Sequence, residues 1–103
     1  MAVKHYAGQT TPGQDWTPYR GGTRGLGIQV DTSAGEFDAN PVYVTSVGGK
    51  SRQWSLVGTS TIYHPGRRSF VVYVHWRDNS PITPQDALDN GWYVNWIGYE
   101  VVG

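Results

Sequence analysis

Apolar and polar positions alternate along several segments of this chain, and a period of two predicts β-strands. In 26–32, Leu26, Ile28 and Val30 share one face, and 42–47 (VYVTSV) reads as the next strand. In 68–76, Phe70, Val72, Val74 and Trp76 fall on one face, and Val71, Tyr73 and His75 on the other. In 92–102, Trp92, Val94 and Trp96 point one way; Tyr93, Ile97, Tyr99 and Val101 point the other, interrupted by Asn95. Residues 3–8 predict a short first strand. Residues 53–63 predict a long one, in which Gly58 marks a bulge or a close backbone approach. GGKSRQ reads as a hairpin-like connection, HPGR as a turn, and SAGEFDANP as turn chemistry with Phe37 anchored inward. One short helix is expected within 79–90: Thr83 caps it, Pro84 opens it and Asp86 supplies the acidic first turn. Residues 9–25 are polar and rich in Gly, Pro and Thr. The segment is long for a loop, so it is either functional or held down by Trp16 and Tyr19. The pattern amounts to about six strands in an antiparallel sandwich or barrel, one domain over residues 1–103.

The last two long strands are apolar on both faces. A two-layer sandwich buries one face of each strand, and the other normally meets water. A chain of 103 residues has no third layer to cover it. One solution is another copy of the chain, which makes the Val/Tyr-rich face of 71–75 and 93–101 an oligomer interface. The other is a barrel-like curl with aromatics lying flat on the outside.

Charge and composition narrow the function classes. Eight Lys and Arg balance eight Asp and Glu, which argues against a dedicated nucleic-acid binder. The absence of cysteine removes disulfide scaffolds, thiolate metal centres and thiol catalysis. Apolar runs are too short to span a membrane, and Met1–Lys4 opens no signal-peptide core. The chain therefore suits secretion without a visible signal peptide, the cytosol or a virion. His5, His64 and His75 lie apart, without metal-ligand spacing, and no serine sits in a nucleophile elbow. Neither a cofactor nor an enzymatic activity is expected. Glu100 reads as a rim charge beside an interface.

A set of short motifs resembles a known family. A Trp-bearing polar N-terminal segment precedes a strand and then Asn40-Pro41-Val42-Tyr43-Val44-Thr45-Ser46. Thr61-Ile62-Tyr63 leads through a turn to Ser69-Phe70, a strand ends in Trp76, and Val94-Asn95-Trp96-Ile97-Gly98-Tyr99-Glu100 closes the chain. From about Gly8 to Glu100 this resembles the H-type lectin domain of snail agglutinins and slime-mould discoidins. The resemblance implies an all-β, six-stranded antiparallel β-sandwich that assembles as a homotrimer. It also implies binding of galactose or N-acetylgalactosamine near subunit boundaries. Thr23-Arg24 matches the family's N-terminal loop, with Gly21 near the place of an Asp. Trp76 is followed by Arg77 and Asp78 where the family has His and Asn. Trp54-Ser55-Leu56 occupies the stretch that carries a family Arg, and the disulfide of some members is absent.

Sugar recognition needs an aromatic face for the C–H patch of the pyranose and planar polar groups for its hydroxyls. Trp76, Arg77 and Asp78 supply both within one strand end and turn. The alternative is that Trp76 is core and Arg77–Asp78 a solvated turn. Arg20 and Arg24, with Tyr19 and Trp16, form a second cluster on a Gly-rich loop. Two function classes follow. One is a non-catalytic lectin-like domain that binds glycan. The other is a structural or assembly subunit of a virion, tail fibre or surface complex that uses the same fold.

Overall fold

The computed structural model describes residues 2–102. Among them are seven strands and one α-helix: β1 (Ala2–Gln9), β2 (Thr17–Pro18), β3 (Leu26–Asp31), β4 (Val42–Gly48), β5 (Leu56–Val57), β6 (Ser69–Trp76), α1 (Pro84–Asn90) and β7 (Tyr93–Val102). The fold is all-β and every strand pair is antiparallel. β1, β7 and β4 form a three-stranded sheet in that order; β2, β3, β6 and β5 form a four-stranded one. The chain crosses between sheets after β1, β3, β4 and β6. Neighbours in sequence are therefore mostly in opposite layers, and β1 pairs with β7 along its whole length, from Ala2↔Val102 to Gln9↔Asn95.

The core lies between the two sheets. Alternate residues of β6 (Phe70, Val72, Val74, Trp76) and β7 (Val94, Trp96) are buried, as the period of two predicts. Leu26, Ile28 and Val30 of β3 and Tyr43 and Thr45 of β4 complete the facing layers. Trp92 stands at the centre of one end, edge-on to Trp76 at 5.3 Å and to Trp16 at 6.4 Å. Both indole N–H groups there find carbonyls: Trp92 donates to Ser51 O and Trp16 to Trp92 O. At the other end Tyr43 bridges the layers. Its ring lies 4.7 Å from Phe70, and its hydroxyl donates to Gly66 O and meets Thr32 Oγ1 at 2.7 Å. Burial raises the Tyr43 phenol above its ordinary range.

The helix forms where its end signals stand. Thr83 Oγ1 accepts from Asp86 N while Asp86 returns the bond to Thr83 N, a full capping box behind Pro84. Phe37 is buried as expected, in space that β7 leaves because residue 98 is glycine; a Cβ there would press on the Phe37 ring.

Four expectations need correction. The strand count is seven rather than six, since β2 and β5 are two-residue strands at the edges of one sheet. Residues 53–63 do not form one long strand. A 3-10 turn occupies Gln53–Ser55, β5 follows, and the chain leaves the sheet at Gly58, whose φ of +94° disfavours any L side chain. It returns only as a bridge between Tyr63 and Val71. The close backbone approach at Gly58 is real: a Cβ there would collide with Tyr73 O. GGKSRQ is not a hairpin, because β4 pairs with β7 and the segment carries the chain to the other sheet. Glu100 is not a rim charge. It is 5 % exposed, and its carboxylate accepts Asp38 N at 3.2 Å and Ala39 N at 2.7 Å, which ties the loop after Phe37 to β7.

Glu100→Ala removes the acceptor of two backbone N–H groups and is expected to cost about 2–3 kcal/mol. Gly98→Ala is expected to cost about 1–3 kcal/mol through forced displacement of Phe37. Urea denaturation of each variant measures both losses, and unchanged midpoints would contradict this packing.

Candidate functional site

Among the grooves on the four-stranded sheet and its ends, two flank the turn after β6. The first, about 360 Å³, is built by the β6 end and the 3-10 turn before β5; Arg52, Trp54, Trp76, Arg77, Asp78 and Ser80 line it. Leu56 pairs with Trp76 across β5 and β6, which brings residues 52–55 beside residues 77–78. Arg77 N donates to Ser55 O at 2.9 Å, and Arg77 Nη2 to Trp54 O at 2.7 Å. The Arg77 guanidinium then lies 5.5 Å from the centre of the Trp54 ring. Trp54 is 73 % exposed.

Trp76 is 4 % exposed. Its ring packs edge-on against Trp92, and the Arg52 guanidinium lies over it at 4.2 Å. No open face remains on it for a sugar to stack upon. The aromatic that faces the groove is Trp54. Sequence parity places Trp54 on the same side as Leu56, hence in the core. The 3-10 turn at Gln53–Ser55 breaks that parity and turns the ring outward.

Asp78 is exposed and holds its own turn. Its Oδ1 accepts Ser80 N at 3.0 Å and Ser80 Oγ at 2.6 Å. The Ser80 hydroxyl, then the Ser80 amide, draw its carboxyl below the ordinary Asp range. Asn79 follows at positive φ and donates its N–H to Trp76 O, so the chain reverses within three residues of the strand end.

Arg24 reaches the same turn from the far side, donating Nη1 to Asn79 O. The structure thus gathers Arg24, Arg77 and Asp78 around one turn, with Trp76 beneath it. Arg20 stands apart, on the loop closed by Tyr19 N donating to Gly25 O, with its guanidinium 5.3 Å from the Tyr19 ring. Of the two aromatics expected to hold that loop down, Trp16 is buried and Tyr19 is exposed. Tyr19 joins the second groove, about 880 Å³, which runs over the outer face of the four-stranded sheet.

The outer face of the other sheet is different in kind. Val3, Val42, Val44, Ile97, Tyr99 and Val101 are all exposed there, Val42 and Val44 at 67 % and 62 %. Register makes them adjacent: Val42 and His5 flank Tyr99, Val44 and Ala7 flank Ile97, and Val3 pairs with Val101. The outer face of β6, by contrast, is half-buried, because Tyr19 and Tyr63 lean on Tyr73. The two-sided apolar pattern therefore leaves one open face, not two.

Among the described residues no group of three or more His, Asp or Glu is placed to hold a metal ion, and no helix is long and apolar enough to cross a membrane. No protein-family model matches the chain, and no curated protein matches it.

The lowered Asp78 carboxyl fixes the sign of a pH effect. A group with a folded pKa below its unfolded value stabilises the fold above the unfolded pKa and loses that contribution as pH falls through the folded one. The 77–80 turn is therefore expected to persist at neutral pH and to loosen only under acid conditions. Carboxyl-carbon NMR should place the Asp78 midpoint below that of an unstructured Asp, and Ser80→Ala should raise it. A midpoint unmoved by Ser80→Ala would contradict the assignment.

Proposed function

We propose that this chain is a non-catalytic, lectin-like carbohydrate-binding domain that acts as a homotrimer, with an H-type lectin-like sandwich as its scaffold. The observation that carries the reading is the first groove. It sets an exposed indole, Trp54, beside Arg77 and Asp78 on a turn fixed by hydrogen bonds. An indole face covers the C–H side of a pyranose, and a guanidinium and a carboxylate bind vicinal hydroxyls as paired donors and acceptors. Arg77 and Asp78 are pre-positioned by Trp54 O and Ser80, so little side-chain freedom is lost on binding. The resemblance supplies the sugar class, galactose or N-acetylgalactosamine, and sites at or near subunit boundaries. The open valine face of the three-stranded sheet supports assembly, and three sites on one particle raise avidity without new contacts at any one of them.

One observation favours the second reading, a structural or assembly subunit of a virion, tail fibre or surface complex. Trp76, the aromatic that the resemblance aligns with the family's sugar site, is core and capped by Arg52. On that reading the apolar sheet face is the working surface and the groove is incidental.

Calorimetry against galactose and N-acetylgalactosamine glycans separates the two. Trp54→Ala and Asp78→Ala should weaken binding about tenfold or more with thermal stability nearly unchanged. Binding that survives both variants would contradict the assignment to this groove, and no binding across a broad glycan set would contradict the lectin reading.

A further inference from the structure

The second groove carries a charge asymmetry that the first lacks. Tyr73 of β6 forms its floor, and the rings of Tyr19 and Tyr63 stand edge-on to it, each at 4.9 Å, with interplanar angles of 76° and 65°. Tyr19 comes from the β3 side of β6 and Tyr63 from the β5 side. Tyr73 lies over Gly27 of β3, where a side chain would strike its ring. The result is an aromatic trough along a sheet, with Thr61 among the residues that line it.

Every formally charged side chain that lines this trough is cationic. Arg20 and Arg24 line it, together with His64 and His75, and the described lining residues include no Asp or Glu. In a chain with eight acidic and eight basic side chains this is a segregation of charge. Neither arginine has a carboxylate partner among the described residues. His75 Nδ1 is engaged with Trp76 O at 2.7 Å, which leaves Nε2 as its uncommitted ring nitrogen.

We propose that the trough is a second binding site, for a saccharide bearing a carboxylate or sulfate group. The pyranose face lies on the tyrosines, and the anion is bound by Arg20, the exposed cation at the rim, with Arg24 adding to the field. A single strand of nucleic acid shares the need for stacking and positive charge. It calls for a row of cations that tracks successive phosphates, and the trough offers only two arginines. The trough belongs to the four-stranded sheet and the open valine face to the other, so assembly through the valines leaves it accessible. The inference shares its ligand class with the lectin reading but uses different residues.

The test follows backbone amide shifts by NMR during titration with trigalacturonate, its fully methyl-esterified neutral counterpart, an N-acetylgalactosamine glycoside, a sulfated galactose trisaccharide and an oligothymidylate. Trigalacturonate or the sulfated trisaccharide should shift residues 58–63 and 73–75, with the neutral ester much weaker. Arg20→Gln and Tyr63→Ala should each weaken that binding about tenfold, and added salt should weaken it further. Which of the two acidic probes binds tells carboxylate from sulfate recognition. Equal binding of acid and ester, or acidic binding indifferent to both variants, would overturn the proposal. So would shifts produced by the oligothymidylate and by no saccharide. If N-acetylgalactosamine shifts only Trp54, Arg77 and Ser80 and neither acidic probe shifts the trough, this inference falls while the lectin reading stands. If acidic saccharides fill the trough and no neutral sugar reaches Trp54, this inference stands while the assignment of neutral sugar to the Trp54 groove falls.

Discussion

One core can cover only one face of each sheet, and a chain of 103 residues closes one core. The rest of the molecule is organised by how it treats the two faces left over. On the four-stranded sheet the chain covers its own second face in part. It leaves the strand at Gly58 and sets Tyr63 against the Tyr73 ring from one side, while Tyr19, from the loop before β3, meets that ring from the other. On the three-stranded sheet no described segment covers the outer face. Val42, Val44, Ile97, Tyr99 and Val101 stay exposed in register across β4 and β7. One outer face became a trough, and the other stayed a flat apolar surface of the kind that proteins use for association.

The packing that separates the sheets also positions the candidate site. Trp92 takes Trp76 and Trp16 edge-on, so the end of β6 is fixed from below, while Arg52 closes Trp76 from above. The turn that follows has little freedom. Asp78 holds Ser80, Asn79 binds back to Trp76 O, and Arg24 and Arg77 tie it to the loops on either side. The exposed polar groups thus rest on a rigid base that holds them in place for a ligand.

The regular elements were legible in the sequence because their burial follows the residue pattern. In β3, β6 and β7 the core faces are those that alternation assigns, and the helix starts at its capping residue. What alternation cannot report is where a segment stops being a strand. In residues 53–63 Trp54, Leu56 and Ile62 share one parity, yet a 3-10 turn and a positive-φ glycine break the segment into pieces. That break turned Trp54 outward and made it, rather than Trp76, the aromatic available to a ligand. Glu100 was illegible for a related reason. A lone carboxylate near a strand end reads as surface, and its partners, the Asp38 and Ala39 amides, are 62 and 61 residues away along the chain. Arg77 and Asp78 could be placed at a turn because that turn is local. The link from Arg24 to Asn79 spans 55 residues, and only the fold brings it about.

The claim on which this account turns is that the open valine face is covered by sister copies. Sedimentation equilibrium of the native chain, beside Val44→Lys and Ile97→Lys, tests it most directly. The account predicts a species of three chains for the native protein and single, folded chains for both variants. A native protein that sediments as one chain at every concentration would contradict it.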